Sequence, residues 1–84
     1  MKAAVISRPG PPDVLKIEER PEPALRAAEV LIRVKAAGLN RADLIQREGR
    51  YPAPPDAPAD IPGLEVAGVI EAVGAEVQRW KTGD

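Results

Sequence analysis

Proline is the residue that most constrains how this chain can fold. Ten of its 84 residues are proline, about twice the usual share. Each proline fixes φ and lacks a backbone N–H, so neither a helix interior nor a central strand can run through it without loss. The sequence therefore predicts short strands and turns, with room for no more than a short helix.

The segments between the prolines predict four strands. Apolar periodicity places them at residues 2–7, 14–20, 29–36 and 63–73. In the second strand, Leu15 and Ile17 share one face, which predicts burial on one side. Gly68 indicates a bulge or a close backbone approach. Glu65 is predicted to be a buried and paired carboxylate, because it lies in an apolar segment. Trp80 is predicted to be a packing residue. The predicted fold class is mainly β, a small barrel or sandwich formed by one domain.

A short helix and a stiff loop separate the third and fourth strands. The helix is predicted over residues 41–47, because Asn40 is a favoured N-cap and Asp43 follows three positions later, a variant of the capping box. Gly49 is the expected helix stop. Five prolines between residues 50 and 62 predict an extended loop. Loops of this length in compact domains are often functional.

Charge and composition exclude several classes of protein. Twelve Lys and Arg against thirteen Asp and Glu give a net charge of −1, which argues against a nucleic-acid partner. No apolar run reaches the roughly 18 residues of a membrane span, and residues 1–7 are too short for a signal peptide. A cytoplasmic location without a membrane partner is the expectation. Cysteine and histidine are both absent, which removes thiolate and imidazole ligands and the commonest general base.

Several motifs together resemble the medium-chain dehydrogenase/reductase superfamily. The resemblance follows the chain in order through residues 34–43, residues 62–70 and the terminal Gly83-Asp84. Asn40-Arg41-Ala42-Asp43 and Gly49-Arg50-Tyr51-Pro52 are most similar to the zinc-independent quinone oxidoreductase branch. The resemblance implies that residues 1–84 are a GroES-like N-terminal catalytic domain, a β-barrel-like fold that lines the substrate side of a cleft.

The resemblance also implies an activity for a longer parent protein. Family members reduce quinones or enones by hydride transfer from NADPH, which a following Rossmann domain binds, and are commonly homodimers. No Gly-x-Gly-x-x-Gly occurs in this chain, so we expect a chain truncated before the Rossmann domain and inactive alone. Two alternatives stay open: another zinc-independent reductase of the family, such as an enoyl reductase, and a stand-alone GroES-like interaction module.

Two positions that match zinc ligands of the superfamily carry other residues here. Zinc-dependent members have a cysteine where Asn40 stands and a histidine where Leu64 stands. Leucine has no donor atom, and an amide oxygen is a poor zinc ligand beside thiolate and imidazole. The resemblance therefore implies that the catalytic zinc is absent.

Without a metal, hydrogen-bond donors must stabilise the charge that grows on the substrate oxygen. The resemblance implies Asn40 and Tyr51 as catalytic residues, with Asn40 also contacting the cofactor. Ile45 and Arg47 join Tyr51 in the implied substrate pocket, Ile45 standing where some relatives have a second tyrosine. The residues alone equally fit structural roles: Asn40 as an N-cap, Tyr51 as a cover of the barrel and Arg47 on a solvated face.

Overall fold

The computed structural model describes residues 1–84 and divides them into two compact units. The first unit contains Met1–Pro21 and Gly38–Leu64, and the second contains Glu22–Ala37 and Glu65–Asp84. Each unit contains one two-stranded antiparallel sheet, and the chain has a single short α-helix. The predicted mainly β class with one short helix is confirmed.

The elements lie close to their predicted bounds. In chain order they are β1 (Lys2–Ile6), a 3-10 turn (Pro12–Val14), β2 (Leu15–Glu19), β3 (Val30–Ala37), α1 (Arg41–Arg47) and β4 (Val66–Val73). The predicted start of the last strand at residue 63 is wrong. Gly63 has a φ of +135°, and the pairing with β3 begins only at Val66 opposite Ala37, so the residues before it lack a strand partner.

In the first unit, β1 pairs with β2 so that Ala4 lies opposite Ile17. The buried apolar side chains of this unit are Val5 on β1 and Val14 on the 3-10 turn. The prediction that β2 is buried on one side is wrong, since all five of its residues are exposed and Ile17 is 71% exposed. Alternation along a strand indicates which side chains share a face, whereas burial also needs an element that packs on that face.

Helix α1 begins and ends where the sequence predicts. Asn40 is its N-cap, with extended backbone angles, and the cap at the other end is Glu48. Gly49 follows with a φ of +84°, the left-handed conformation that stops a helix. No helix of this chain has the length and apolar character that crossing a membrane requires.

In the second unit, β3 and β4 pair from Val30 opposite Val73 to Ala37 opposite Val66, with two register shifts. Gly68 lies opposite Val34, and a Cβ at Gly68 would collide with the carbonyl oxygen of Arg33. The predicted close backbone approach at Gly68 is confirmed. The sheet needs glycine there because the neighbouring backbone cannot move aside cheaply.

Glu65 and Trp80 depart from their predicted roles. Glu65 is exposed and precedes β4, so it is not a buried carboxylate within a strand. Trp80 is exposed and lines an open depression of about 310 Å³ together with Ala28 and Val77. The Glu65 prediction assumed burial from apolar neighbours along the chain, but the buried apolar side chain of this unit is Ile70.

Candidate functional site

A capping box fixes the backbone of Asn40 at the start of α1. The Asn40 N–H donates to Asp43 Oδ2 at 2.9 Å, and the Asp43 N–H donates to the Asn40 carbonyl oxygen at 3.0 Å. The predicted N-cap and its partner Asp43 are thereby confirmed. Because this helix start is held through the backbone, the carboxamide N–H₂ of Asn40 is not consumed by it.

Two polar atoms at this helix start are buried without a hydrogen-bond partner, Asn40 Nδ2 and Asp43 Oδ1. Both residues line an open depression of about 390 Å³, together with Leu39, Arg41 and Leu44. A buried N–H that lacks an acceptor costs about 1–3 kcal/mol. An oxygen atom of a bound molecule would remove that cost, so the Asn40 amide fits the predicted contact with cofactor or substrate.

Tyr51 lies in a second depression of the same unit, at the start of the proline-rich loop. This depression has a volume of about 310 Å³. Its other walls come from the end of β1, from α1 and from the far end of the loop, and they include Arg8, Gln46 and Asp60. Tyr51 is 40% exposed, so a molecule in this depression can reach its ring. The structure thus places Asn40 and Tyr51 in separate depressions of one unit.

The other two predicted pocket residues occupy different surroundings. Ile45 is half-buried on α1 and lines neither depression. Arg47 donates from Nε to the Gly10 carbonyl oxygen at 3.0 Å, and the Gly10 N–H donates back to the Arg47 carbonyl oxygen at 3.0 Å. The structure therefore shows Arg47 joining the end of α1 to the turn after β1. Its contact with substrate, like that of Ile45, stays a prediction.

The far end of the proline-rich loop is fixed by Asp60. The Asp60 carbonyl oxygen accepts from the Ile6 N–H at 2.8 Å, and its carboxylate accepts from Arg20 Nη2 at 2.7 Å. Glu18 lies 3.6 Å from the same Nη2. The hydrogen bond from Arg20 holds the pKa of the Asp60 carboxyl below its usual range, against a smaller opposing effect of desolvation.

Neither Arg20 nor Asp60 stands out in the sequence. The two residues are 40 positions apart, so no local pattern connects them. In the sequence, Arg20 lies beside a proline and Asp60 lies near the end of a loop. Many surface residues share these positions, so this feature alone does not indicate that the two side chains pair. Their pairing becomes visible only once β2 and the loop are placed in space.

The side chains of residues 1–84 offer no cluster of metal ligands. No group of three or more His, Cys, Asp and Glu side chains is arranged to hold a metal ion. Leu64, which stands where zinc-dependent members of the superfamily have histidine, presents only hydrocarbon and is 55% exposed. Asn40 alone offers an oxygen at the matching positions, which does not fit a catalytic zinc site.

Comparison with known proteins places these observations in a family. The profile of the Alcohol dehydrogenase GroES-like domain family matches residues 26–84. The Synaptic vesicle membrane protein VAT-1 homolog of Danio rerio is 46% identical over 84 residues, which are 99% of this chain and 17% of that protein. The Quinone oxidoreductase of Lama guanicoe is 44% identical over 85 residues, covering 100% of this chain and 26% of that protein.

A solved structure agrees with these matches. The crystal structure of Escherichia coli quinone oxidoreductase complexed with NADPH superposes with a TM-score of 0.87 at 33% sequence identity. The superposition covers 100% of this chain and 25% of that structure. Similar relatives also include an alcohol dehydrogenase of Geobacillus stearothermophilus and the NADPH-dependent alkenal/one oxidoreductase of Arabidopsis thaliana.

The fold and the matches define a GroES-like domain. The chain belongs to the alcohol dehydrogenase GroES-like domain family, within the medium-chain dehydrogenase/reductase superfamily. The family predicted from the sequence motifs is confirmed. The chain spans 17% to 26% of the length of the relatives and the structure described above.

Proposed function

We propose that this chain is the substrate-side domain of an NADPH-dependent oxidoreductase that reduces quinones or enones. The similarity to a quinone oxidoreductase and to an alkenal/one oxidoreductase supports this substrate class. The Asn40-to-Asp43 and Gly49-to-Pro52 motifs support it as well. The single observation that carries the proposal is the buried Asn40 Nδ2, an amide donor without an acceptor beside an open depression.

The chemistry requires stabilisation of negative charge on the substrate oxygen. The hydride comes from NADPH when it is bound. The Asn40 amide donates a hydrogen bond to an oxygen of cofactor or substrate, and the Tyr51 hydroxyl donates to the carbonyl oxygen that becomes negative. One well-placed donor of this kind is worth about 3–4 kcal/mol. A quinone needs less assistance than a simple ketone because its reduction product is aromatic.

We further propose that this chemistry proceeds without a catalytic zinc ion. The support comes from the residue types, since the chain contains neither cysteine nor histidine and carries leucine at position 64. Zinc acts on carbonyls as a Lewis acid, and it needs about three protein ligands to remain bound at a catalytic site. Neutral hydrogen-bond donors take over that role in the proposed mechanism.

The similarity to alcohol dehydrogenases gives a second candidate, oxidation of an alcohol or reduction of a simple ketone. An alcohol must lose its hydroxyl proton as the hydride leaves, which calls for a metal or a general base. The chain supplies neither thiolate nor imidazole as a ligand for such a metal. The similarity to a quinone oxidoreductase and an alkenal/one oxidoreductase, together with these residue types, makes quinone or enone reduction the better-supported proposal, and an enoyl reductase is its nearest variant.

Substrate turnover by the intact protein tests the proposal. We would measure oxidation of NADPH and of NADH with quinones, α,β-unsaturated ketones, enoyl thioesters and simple ketones, and reduction of NADP⁺ and NAD⁺ with simple alcohols, each with and without a chelator. The proposal expects turnover of quinones or enones with NADPH that the chelator leaves unchanged. Turnover restricted to simple alcohols and ketones, lost on chelation and restored by zinc, would contradict it. The cytoplasmic location and the homodimer stay predictions.

A further inference from the structure

The loop that carries Tyr51 is attached at both ends to the part of the first unit formed by β1 and β2. At its start, Arg47 and Gly10 exchange two hydrogen bonds of 3.0 Å. At its far end, Asp60 accepts from the Ile6 backbone and from the Arg20 side chain at 2.8 and 2.7 Å. These attachments enclose the segment from residue 48 to residue 59.

Between its two attachments the loop has few bonds to the rest of the unit. The first of them are at its start, where the Gly49 and Arg50 N–H groups donate to the Gln46 and Ile45 carbonyl oxygens, each at 2.9 Å. Gln46 Nε2 donates to the Ala59 carbonyl oxygen at 3.4 Å, and a turn closes between Pro54 and Ala57 at 3.0 Å within the loop itself. Prolines restrict φ along the segment, so it moves as a stiff piece and not as a flexible chain. The attachments at its ends therefore act together with the bonds to α1 in limiting where Tyr51 lies.

The Arg20–Asp60 pair is the attachment that joins two charged side chains. Asp60 lines the same depression as Tyr51, so a shift of Asp60 changes the shape of the depression that Tyr51 lines. The side chains are partly shielded, with Arg20 30% and Asp60 41% exposed. A single bond of 2.7 Å between charged groups is among the stronger kinds of hydrogen bond.

We propose that Arg20 and Asp60 are positioning residues for Tyr51. Their ion pair holds the far end of the proline-rich loop against β1 and β2, and thereby sets the position of the tyrosine without touching substrate. This inference rests on the proposed function in one respect, that Tyr51 contacts the substrate. It adds two residues to the site that no motif in the sequence marks.

Conservative variants separate the charge pair from the backbone attachment. Asp60→Asn keeps the side-chain shape and leaves the Ile6-to-Asp60 backbone bond in place while it removes the negative charge. Arg20→Gln removes the other partner. The double variant should behave like either single variant, because each change already breaks the same pair. Glu71→Gln is the matched control, since it breaks the Arg33–Glu71 ion pair between β3 and β4 in the other unit.

Limited trypsin digestion of the intact protein measures how often the loop opens. Trypsin cleaves the Arg50–Tyr51 bond, which lies inside the loop and next to the residue in question. We expect Asp60→Asn and Arg20→Gln to accelerate cleavage at this bond by about twofold to fivefold, the range that loss of a surface ion pair produces in a local opening equilibrium. Glu71→Gln should leave the rate at this bond unchanged.

Steady-state kinetics with a quinone give the second readout. We expect Asp60→Asn and Arg20→Gln to lower kcat, because Tyr51 donates to the oxygen that becomes negative in the transition state, and Glu71→Gln to leave kcat unchanged. Unchanged cleavage in both variants, an equal effect of Glu71→Gln, or faster cleavage with unchanged kcat would overturn the positioning role. Absence of quinone turnover in the unmodified protein would contradict the proposed function instead, and the digestion would still decide whether the ion pair holds the loop.

Discussion

Asn40 has a structural role through its backbone atoms and a proposed chemical role through its side chain. Its backbone N–H and carbonyl oxygen both bond to Asp43 and thereby fix the start of α1. Its side-chain Nδ2 is buried and finds no acceptor in the protein. The structural role and the proposed chemical role are thus compatible, and a substitution can be chosen that affects only one of them.

Replacing Asn40 with serine separates these roles. Serine is about as good an N-cap as asparagine, so we expect Asn40→Ser to change the free energy of unfolding by less than about 0.5 kcal/mol. Loss of the amide donor should lower kcat for quinone reduction by about 100-fold. Urea denaturation and steady-state kinetics of the same preparation measure both quantities. Unchanged kcat in a stably folded Asn40→Ser variant would remove Asn40 from the mechanism.

At the scale of the element, the chain is built from short pieces whose bounds are locally encoded. The predicted bounds of β1, β2, β3 and α1 differ from the observed ones by no more than one residue. Prolines and glycines end segments through their own backbone geometry, which neighbouring residues cannot override. The start of β4 was not predictable in this way, because β4 begins where its pairing with β3 begins, at Val66 opposite Ala37.

Strand pairing in the second unit gives a sharp test at Gly68. The added methyl group of Gly68→Ala would meet the carbonyl oxygen of Arg33, part of the backbone of the paired strand. We expect a loss of about 1–3 kcal/mol in the free energy of unfolding, measured by urea denaturation. Ala67→Ser, at the exposed neighbouring position, should change it by less than about 0.5 kcal/mol. Equal stability of the two variants would show that β3 and β4 do not approach closely at this point.

At the scale of the whole molecule, the site depends on contacts between segments far apart in the sequence. The motifs identify Asn40 and Tyr51, because those residues fall within short patterns that resemble a family. Arg47 bonds to Gly10 and Arg20 bonds to Asp60, at sequence separations of 37 and 40 residues. No local pattern encodes such pairs, so the sequence could supply the residues of the site but not what holds them in place.

The Arg20–Asp60 pair should make the first unit sensitive to acid. Its hydrogen bond lowers the pKa of Asp60 in the folded protein, and Glu18 lies 3.6 Å from the same Arg20 nitrogen. A carboxyl whose pKa is lowered by folding contributes stability above its unfolded pKa and loses it as the pH falls through its folded pKa. We therefore expect the stability difference between the unmodified protein and Asp60→Asn to shrink between about pH 5 and pH 2.

Urea denaturation of both proteins across that pH range measures the effect. Glu71→Gln serves as the comparison, since Glu71 forms its ion pair in the other unit. A stability difference for Asp60→Asn that stays constant down to pH 2 would show that the Asp60 charge does not take part in folding.

The central claim is that neutral hydrogen-bond donors, and not a metal ion, assist reduction of the substrate carbonyl. The most direct measurement is the rate of NADPH-dependent quinone reduction by the intact protein and by its Asn40→Ser/Tyr51→Phe double variant, each with and without a chelator. The account predicts a loss of at least about 100-fold in the double variant and no effect of the chelator on the unmodified protein. Full turnover by the double variant, or turnover that the chelator abolishes and zinc restores, would contradict the account.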